Sequence, residues 1–374
     1  TENGAKSVSE SLKSKIHAGS TKIQRYLKRS VQFHQNNLFK NNQSQLYKEL
    51  NGTADRGDNL APDADEATNF WKGIWSEPGQ YDQKAEWLGR VRRTLSRVGK
   101  QKDVGVTLAA VRAGVRRLTN WKAPGPDGVM GFWFKKLTNL HWAIADELQA
   151  CLVSGDVPEW MVKGRTVLIQ KDVTKGTVAG NYRPIACLPL MWKLLTGLFA
   201  EEIYVHLKDN NLLPDEQKGC RKRSRGTKDQ LLIDKAIMAE ARRKKRFLGM
   251  AWVDYKKAYD MVPHSWLLEA VEMMGVAGNV SGLLRNSMAK WKTELTANGQ
   301  TLGMIDIKRG IFQGDSLSPL LFVIVMTPLS MILDGVTKGY MLGNTGKRVN
   351  HLLFMDDLKL YGSNDKELLF LSLL

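Results

Sequence analysis

The chain has 374 residues, 43% hydrophobic and 25% charged, which suits a folded protein of two or three domains or subdomains. Its 55 Lys and Arg against 38 Asp and Glu leave a formal charge of +17, an excess that favours a polyanionic partner, nucleic acid or an anionic membrane surface. Cys151, Cys187 and Cys220 lie far apart, which argues against a zinc site or a disulfide framework and fits a reducing compartment, and with no membrane span or signal peptide the expectation is a soluble intracellular protein.

Residues 1–50 are polar and basic. The first twenty read as disorder or a frayed helix, and Ile23 to Leu50 as a basic amphipathic helix with interruptions. Asn51 to Ala64 is a Gly/Asp/Asn/Pro-rich break. Asp65 to Trp75 then reads as a helix with Ala67, Phe70, Trp71 and Ile74 along one face, where Trp71 and Trp75 either stack on bases or pack a core. A basic stretch (Trp87–Arg97), a helix (Thr107–Leu118) and the loop Ala123-Pro124-Gly125-Pro126-Asp127-Gly128 follow, and then helices at 129–137 and 141–153. Arg165–Gln170 and Asn181–Ile185 form a predicted hairpin flanked by Arg165, Lys171 and Arg183. After a helix at 191–207 comes a dense basic loop with Arg221, Lys222, Arg223, Arg225 and Lys228. A helix with Leu232, Ile233, Ala236 and Ile237 inward ends at Arg242-Arg243-Lys244-Lys245-Arg246. These two runs, with Arg243 and Lys244 in the second, are either a solvated face or a nucleic-acid contact surface.

Phe247 to Val253 reads as a buried strand ending at Asp254, followed by Tyr255-Lys256-Lys257-Ala258-Tyr259-Asp260 and two helices. Trp291–Ala297 and Thr301–Lys308 make a hairpin about Asn298-Gly299. A glycine-bounded loop, Gly310-Ile311-Phe312-Gln313-Gly314-Asp315, enters a helix with Leu317, Leu320, Leu321 and Ile324 buried. The last feature is Phe354-Met355-Asp356-Asp357 between apolar runs, a tight hairpin with two like charges at its tip. It is either an exposed turn or half of a cation site. If its strand neighbours the one ending at Asp254 in an antiparallel sheet, Asp254 and Asp356 converge as hard oxygen ligands for paired Mg²⁺ ions about 3.5–4 Å apart, a geometry suited to in-line phosphoryl transfer.

Five stretches in order resemble the reverse transcriptase of non-LTR retrotransposons: Ala-Pro-Gly-Pro-Asp-Gly, Asn-Tyr-Arg-Pro-Ile, Val-Asp-Tyr-Lys-Lys-Ala-Tyr-Asp, Gly-Ile-Phe-Gln-Gly-Asp-Ser-Leu-Ser-Pro and Phe-Met-Asp-Asp. The resemblance covers about 105–362, and extends weakly upstream through Asn37–Leu50 and Phe70–Ser76. It implies an α+β, right-hand polymerase with fingers and palm, an antiparallel palm sheet with helices, and a helical N-terminal extension. The expected boundaries are 1–104 for the extension, 105–247 for fingers with part of the palm, and 248–374 for the palm.

By the resemblance, Asp254, Asp356 and Asp357 are the catalytic, metal-holding carboxylates, with two Mg²⁺ ions or Mn²⁺ as cofactor. Tyr259 is a steric gate against a ribose 2′-hydroxyl. Gln313 and Gly314 contact the nascent base pair and template, Arg183 clamps the triphosphate, and Arg165 and Lys171 assist. The implied partners are an RNA template, a DNA primer and dNTP, in a cytoplasmic and nuclear ribonucleoprotein. The family's pattern continues past the hairpin into a primer-gripping hairpin and a thumb, so a chain stopping at Leu374 is expected to be truncated, with its apolar end unpartnered. The competing reading is a weakly active or inactive RNA-binding module derived from such an enzyme.

Overall fold

The computed structural model describes residues 2–41, 61–343 and 346–373. The chain divides between Asn59 and Leu60 into two units. In the first, Glu2–Asn41 is a single helix, so the first twenty residues neither fray nor break away from the stretch that follows them. No proline interrupts it, and Ile23, Tyr26, Leu27, Val31 and Phe33 are exposed along it. The continuation expected to Leu50 and most of the expected break at 51–64 lie outside the described residues.

The second unit is a mixed α+β fold in which helices flank the sheets. Its first helix, Ala64–Trp75, starts where the Asp63 carboxylate accepts the Glu66 N–H at 2.9 Å. Ala67, Trp71 and Trp75 are its buried face, and the two indoles stack with ring centroids 4.6 Å apart, so both are core residues. Strands β1 (Lys163–Gln170) and β2 (Tyr182–Cys187) form the expected antiparallel hairpin, from Arg165↔Cys187 to Gln170↔Tyr182. Strands β4 (Lys292–Ala297) and β5 (Gln300–Asp306) form another, turning through Asn298 and Gly299, both at positive φ. A parallel β1–β4 pairing joins the hairpins into one sheet of order β2-β1-β4-β5. At that seam the Thr166 and Thr293 hydroxyls share a buried hydrogen bond of 2.7 Å.

The second sheet has the order β3-β9-β8, from β3 (Gly249–Val253), β8 (His351–Phe354) and β9 (Asp357–Gly362), all antiparallel. A two-stranded ribbon, β6 (Tyr340–Leu342) with β7 (Lys347–Val349), precedes it. The largely buried Ser318–Asp334 helix and the Leu190–Asp209 helix bring Leu321, Ile324, Leu195 and Phe199 into the main core.

Three expectations need correction. β3 is an edge strand rather than a buried one: Trp252 is 69% exposed, because β9 pairs with it on one side only. The Thr227–Lys244 helix turns Ile233, Ile237 and Ala241 inward, while Leu232 is 61% exposed and Ala236 lies outside. Its inner face also carries Gln230, whose amide donates to the Glu216 and Leu353 carbonyls, and Asp234, which accepts from Lys359 and Tyr361. Hydrogen-bonded polar residues on the covered side shift the true face away from the most apolar one. Finally, the apolar C-terminal run does have a partner. It forms the helix Asp365–Ser372, capped by Asn364, which packs Leu371 and Leu368 against β9 and β3.

Candidate active site

The β8–β9 hairpin closes on the pair Phe354↔Asp357, with Met355 and Asp356 as its two-residue turn. Met355 sits at φ +58°, a left-handed conformation that costs an L-residue roughly 1–2 kcal/mol. Gln217 holds it there. The buried Gln217 side chain accepts the Met355 N–H at 2.8 Å and donates to the Met355 carbonyl at 3.1 Å. The Gly219 N–H locks the same amide oxygen at 2.9 Å, and the backbone on either side of Gln217 bonds Leu353 in both directions at 3.0 Å. Sequence reasoning passed over Gln217, since its partner is 138 residues away and its neighbours drew attention only as charge.

The last β3–β9 pair is Val253↔Leu358, so the next step sets Asp254 opposite Asp357. Asp254, Asp356 and Asp357 line one cavity of about 610 Å³ together with Lys171, Arg183, Lys256, Lys257, Tyr259, Asp260 and Gln313. Burial raises the Asp356 pKa, and the neighbouring charges of Asp357 and Asp254 raise it further. The three carboxylates are thus close enough to repel. They form an oxygen-only donor set at one mouth, with cations elsewhere in the lining, and this fits a hard divalent ion better than a structural metal. Asp254 and Asp357 also border a second, mostly apolar cavity of about 330 Å³ beside Trp252.

The other expected residues divide. Tyr259 lines the large cavity and stacks flat on Phe322 at 4.5 Å, and burial pushes its hydroxyl pKa up. Arg183 and Lys171 are exposed cations of the same lining. Arg165 is not in that lining; its guanidinium donates to the Pro124 carbonyl at 3.1 Å and so braces the proline-glycine loop. Gly314 also lies outside the lining. Its φ of +133° and the 2.4 Å that a Cβ would leave to the Ala186 carbonyl show that the close approach is to β2.

Among the basic residues, Arg223, Arg225, Lys228 and Arg243 are exposed. Arg221 is tied to Asp215 and the Leu213 and Pro214 carbonyls, Lys222 to Glu201 with its ammonium over the Tyr204 ring, and Lys244 to Glu240.

A different group, Glu216, Asp334 and His351, brings three ligand-type atoms within 4.8 Å of one another, a composition compatible with a metal ion. His351 is fully buried, however, and both ring nitrogens are engaged, with Asn350 at 2.7 Å and Ser330 at 3.2 Å.

A family model described as reverse transcriptase (RNA-dependent DNA polymerase) matches residues 169–372. The chain is 30% identical over 253 residues to the retrovirus-related Pol polyprotein from type-1 retrotransposable element R2 of Popillia japonica, covering 66% of this chain and 34% of that protein. It is 25% identical over 337 residues to the Pol polyprotein from type-2 retrotransposable element R2DM of Drosophila melanogaster (87% and 29%). It is 26% identical over 242 residues to the RNA-directed DNA polymerase from mobile element jockey of Drosophila funebris (63% and 26%). The chain therefore spans about a third or less of the length of these relatives. No helix among the described residues is long and apolar enough to cross a membrane. With more than half of its length matched by the family model, the chain belongs to the reverse transcriptase family and is related to the Pol proteins of non-LTR retrotransposons.

Proposed function

We propose that the chain carries the nucleotidyl-transfer centre of an RNA-directed DNA polymerase, which adds deoxynucleotides to a primer 3′-hydroxyl on an RNA template. The β3-β9-β8 sheet with its covering helices is then the palm and the β1–β2 hairpin part of the fingers. The observation that carries this reading is one cavity of about 610 Å³, acidic at Asp254, Asp356 and Asp357 and basic at Lys171, Arg183, Lys256 and Lys257. A nucleoside triphosphate needs both signs in one place.

Asp254 and Asp356, with Asp357 beside them, are the residues that would hold Mg²⁺ or Mn²⁺. When bound, such ions stabilise the charge on the attacking and leaving oxygens. The remaining work falls to the chain's own side chains. Arg183 offers a planar pair of donors to the triphosphate and Lys171 a second positive charge. Tyr259, backed by Phe322, puts a rigid ring where a 2′-hydroxyl would clash. Arg223, Arg225, Lys228 and Arg243 meet template and primer phosphates, and this contact weakens with salt.

The test is Mg²⁺-dependent extension of a DNA primer annealed to RNA. Extension that disappears in Asp356→Ala supports the reading. RNA binding without incorporation in the unaltered chain contradicts it and favours the RNA-binding module.

A further inference from the structure

The loop that carries Gln313 into the cavity is held by β2, whose Ala186 N–H donates to the Gln313 carbonyl at 2.8 Å, and by a short piece of chain, 259–264. Gly310 N–H donates to the Val262 carbonyl at 2.7 Å, Ile311 N–H to the Tyr259 carbonyl at 2.9 Å, and His264 Nε2–H to the Gly310 carbonyl at 2.8 Å. The side-chain anchor is Asp260, which is only 3% exposed yet belongs to the cavity lining. Its Oδ1 accepts the Trp75 indole N–H at 3.3 Å, and both its oxygens lie 3.4 Å from Gln313 Nε2.

The donor–acceptor logic at Asp260 runs one way. A carboxylate only accepts, so the Gln313 amide must turn its NH₂ toward Asp260. Trp75 has only a hydrogen to give and is fixed by its stack on Trp71, which in turn carries the Lys257 ammonium 4.0 Å above its ring. The Lys257 ammonium lacks a hydrogen-bond partner, and Asp260 forms no ion pair among the described residues. A carboxylate this deeply buried is stable only when its lone pairs are used, and here indole and amide use them.

We infer that Asp260, fixed by Trp75, is a positioning residue for the incoming nucleotide. It takes the amide hydrogens of Gln313 and leaves Gln313 Oε1 as an acceptor for a hydroxyl or amino group of that nucleotide. The helix Ala64–Trp75 is thereby a working part of the nucleotide site, although Trp75 does not line that cavity. The inference rests on the polymerase reading above.

The test is equilibrium binding of Mg²⁺–dATP, dGTP, dCTP and TTP to the full chain on an RNA template, with a primer whose 3′ end lacks a hydroxyl so that no turnover occurs. Loss of a charge-assisted hydrogen bond in Asp260→Asn weakens binding of the complementary dNTP about tenfold, and Trp75→Phe, which keeps the ring and loses only the N–H, weakens it about threefold. Primer–template affinity stays unchanged in both, which a merely structural role would not allow. In a double-mutant cycle, Asp260→Asn costs nothing further once Gln313→Ala is present. Equal losses with and without Gln313, or no loss in Asp260→Asn, overturn the inference while leaving the polymerase reading intact. A wild-type complex that binds no dNTP overturns both.

Discussion

Two groups of ligand-type side chains sit at opposite ends of the β8 strand, and they differ in composition and in setting. Glu216, Asp334 and His351 bring three ligand-type atoms within 4.8 Å of one another, but His351 is buried with both nitrogens already bonded, and burial holds its pKa down at about 4. Asp254, Asp356 and Asp357 gather less tightly, yet they open on a cavity that also holds Lys171, Arg183 and Tyr259. In the first group the one nitrogen ligand is committed to the fold, whereas all three acids of the second border the cavity.

The sharpest way to break this contrast is to remove one acid from each group. Asp356→Ala is expected to lower primer extension by roughly 10³-fold or more, since it removes an oxygen from the site where charge develops. Asp334→Asn is expected to leave the extension rate within about twofold, because it touches neither substrate nor cavity. A comparable loss in both would erase the distinction. Next in size is Gln217→Ala. It strips the Met355 N–H and carbonyl of their partners and loosens the turn beneath Asp356, so kcat should drop about 10²-fold for a small displacement of the carboxylate. Unchanged kcat would show that the turn holds itself. Tyr259→Ala should narrow the preference for dNTP over NTP by about tenfold or more, measured as the ratio of kcat/KM values.

The smallest effect is on stability. Burial raises the Asp260 pKa to about 6, against the opposing pull of Lys257, Trp75, Gln313 and Lys171. The folded state therefore holds this proton more tightly than the unfolded chain does. That contribution to stability is fully present below about pH 4, the ordinary carboxylate value, and is lost as pH rises through about 6. Asp260→Asn, which stays neutral, should therefore stabilise the protein at pH 8 by on the order of 1–3 kcal/mol and add little at pH 4, as read from denaturant unfolding. The same variant is expected to lose nucleotide affinity, in which case the buried charge trades stability for positioning.

What the sequence shows of this site follows distance along the chain. The Met355-Asp356 turn and the Asn298-Gly299 turn are local, and both are legible from flanking apolar runs and turn residues. The antiparallel neighbourhood of Asp254 and the hairpin could be posed as a condition, because each acid ends its own strand. The parallel β1–β4 seam, the Gln217 clamp and the Trp75–Asp260 link could not, since their partners are separated by 129 residues in the first case, 138 in the second and 185 in the third. Polar residues that bond inside the fold also mislead. Gln230 and Asp234 belong to the covered side of their helix, and a reading by apolar period alone chose Leu232 and Ala236 instead. The C-terminal Leu-Leu-Phe-Leu run has the composition of an exposed strand edge, but Asn364 caps it as a helix.

Mn²⁺ binding reports most directly on which acids take the ion. Titrated into the chain and followed by paramagnetic broadening of backbone amide resonances, Mn²⁺ should erase signals around Asp254 and Met355–Leu358, and this effect should vanish in Asp356→Asn but persist in Asp334→Asn. Broadening centred on Asp334 and His351, lost in Asp334→Asn and intact in Asp356→Asn, would contradict the account.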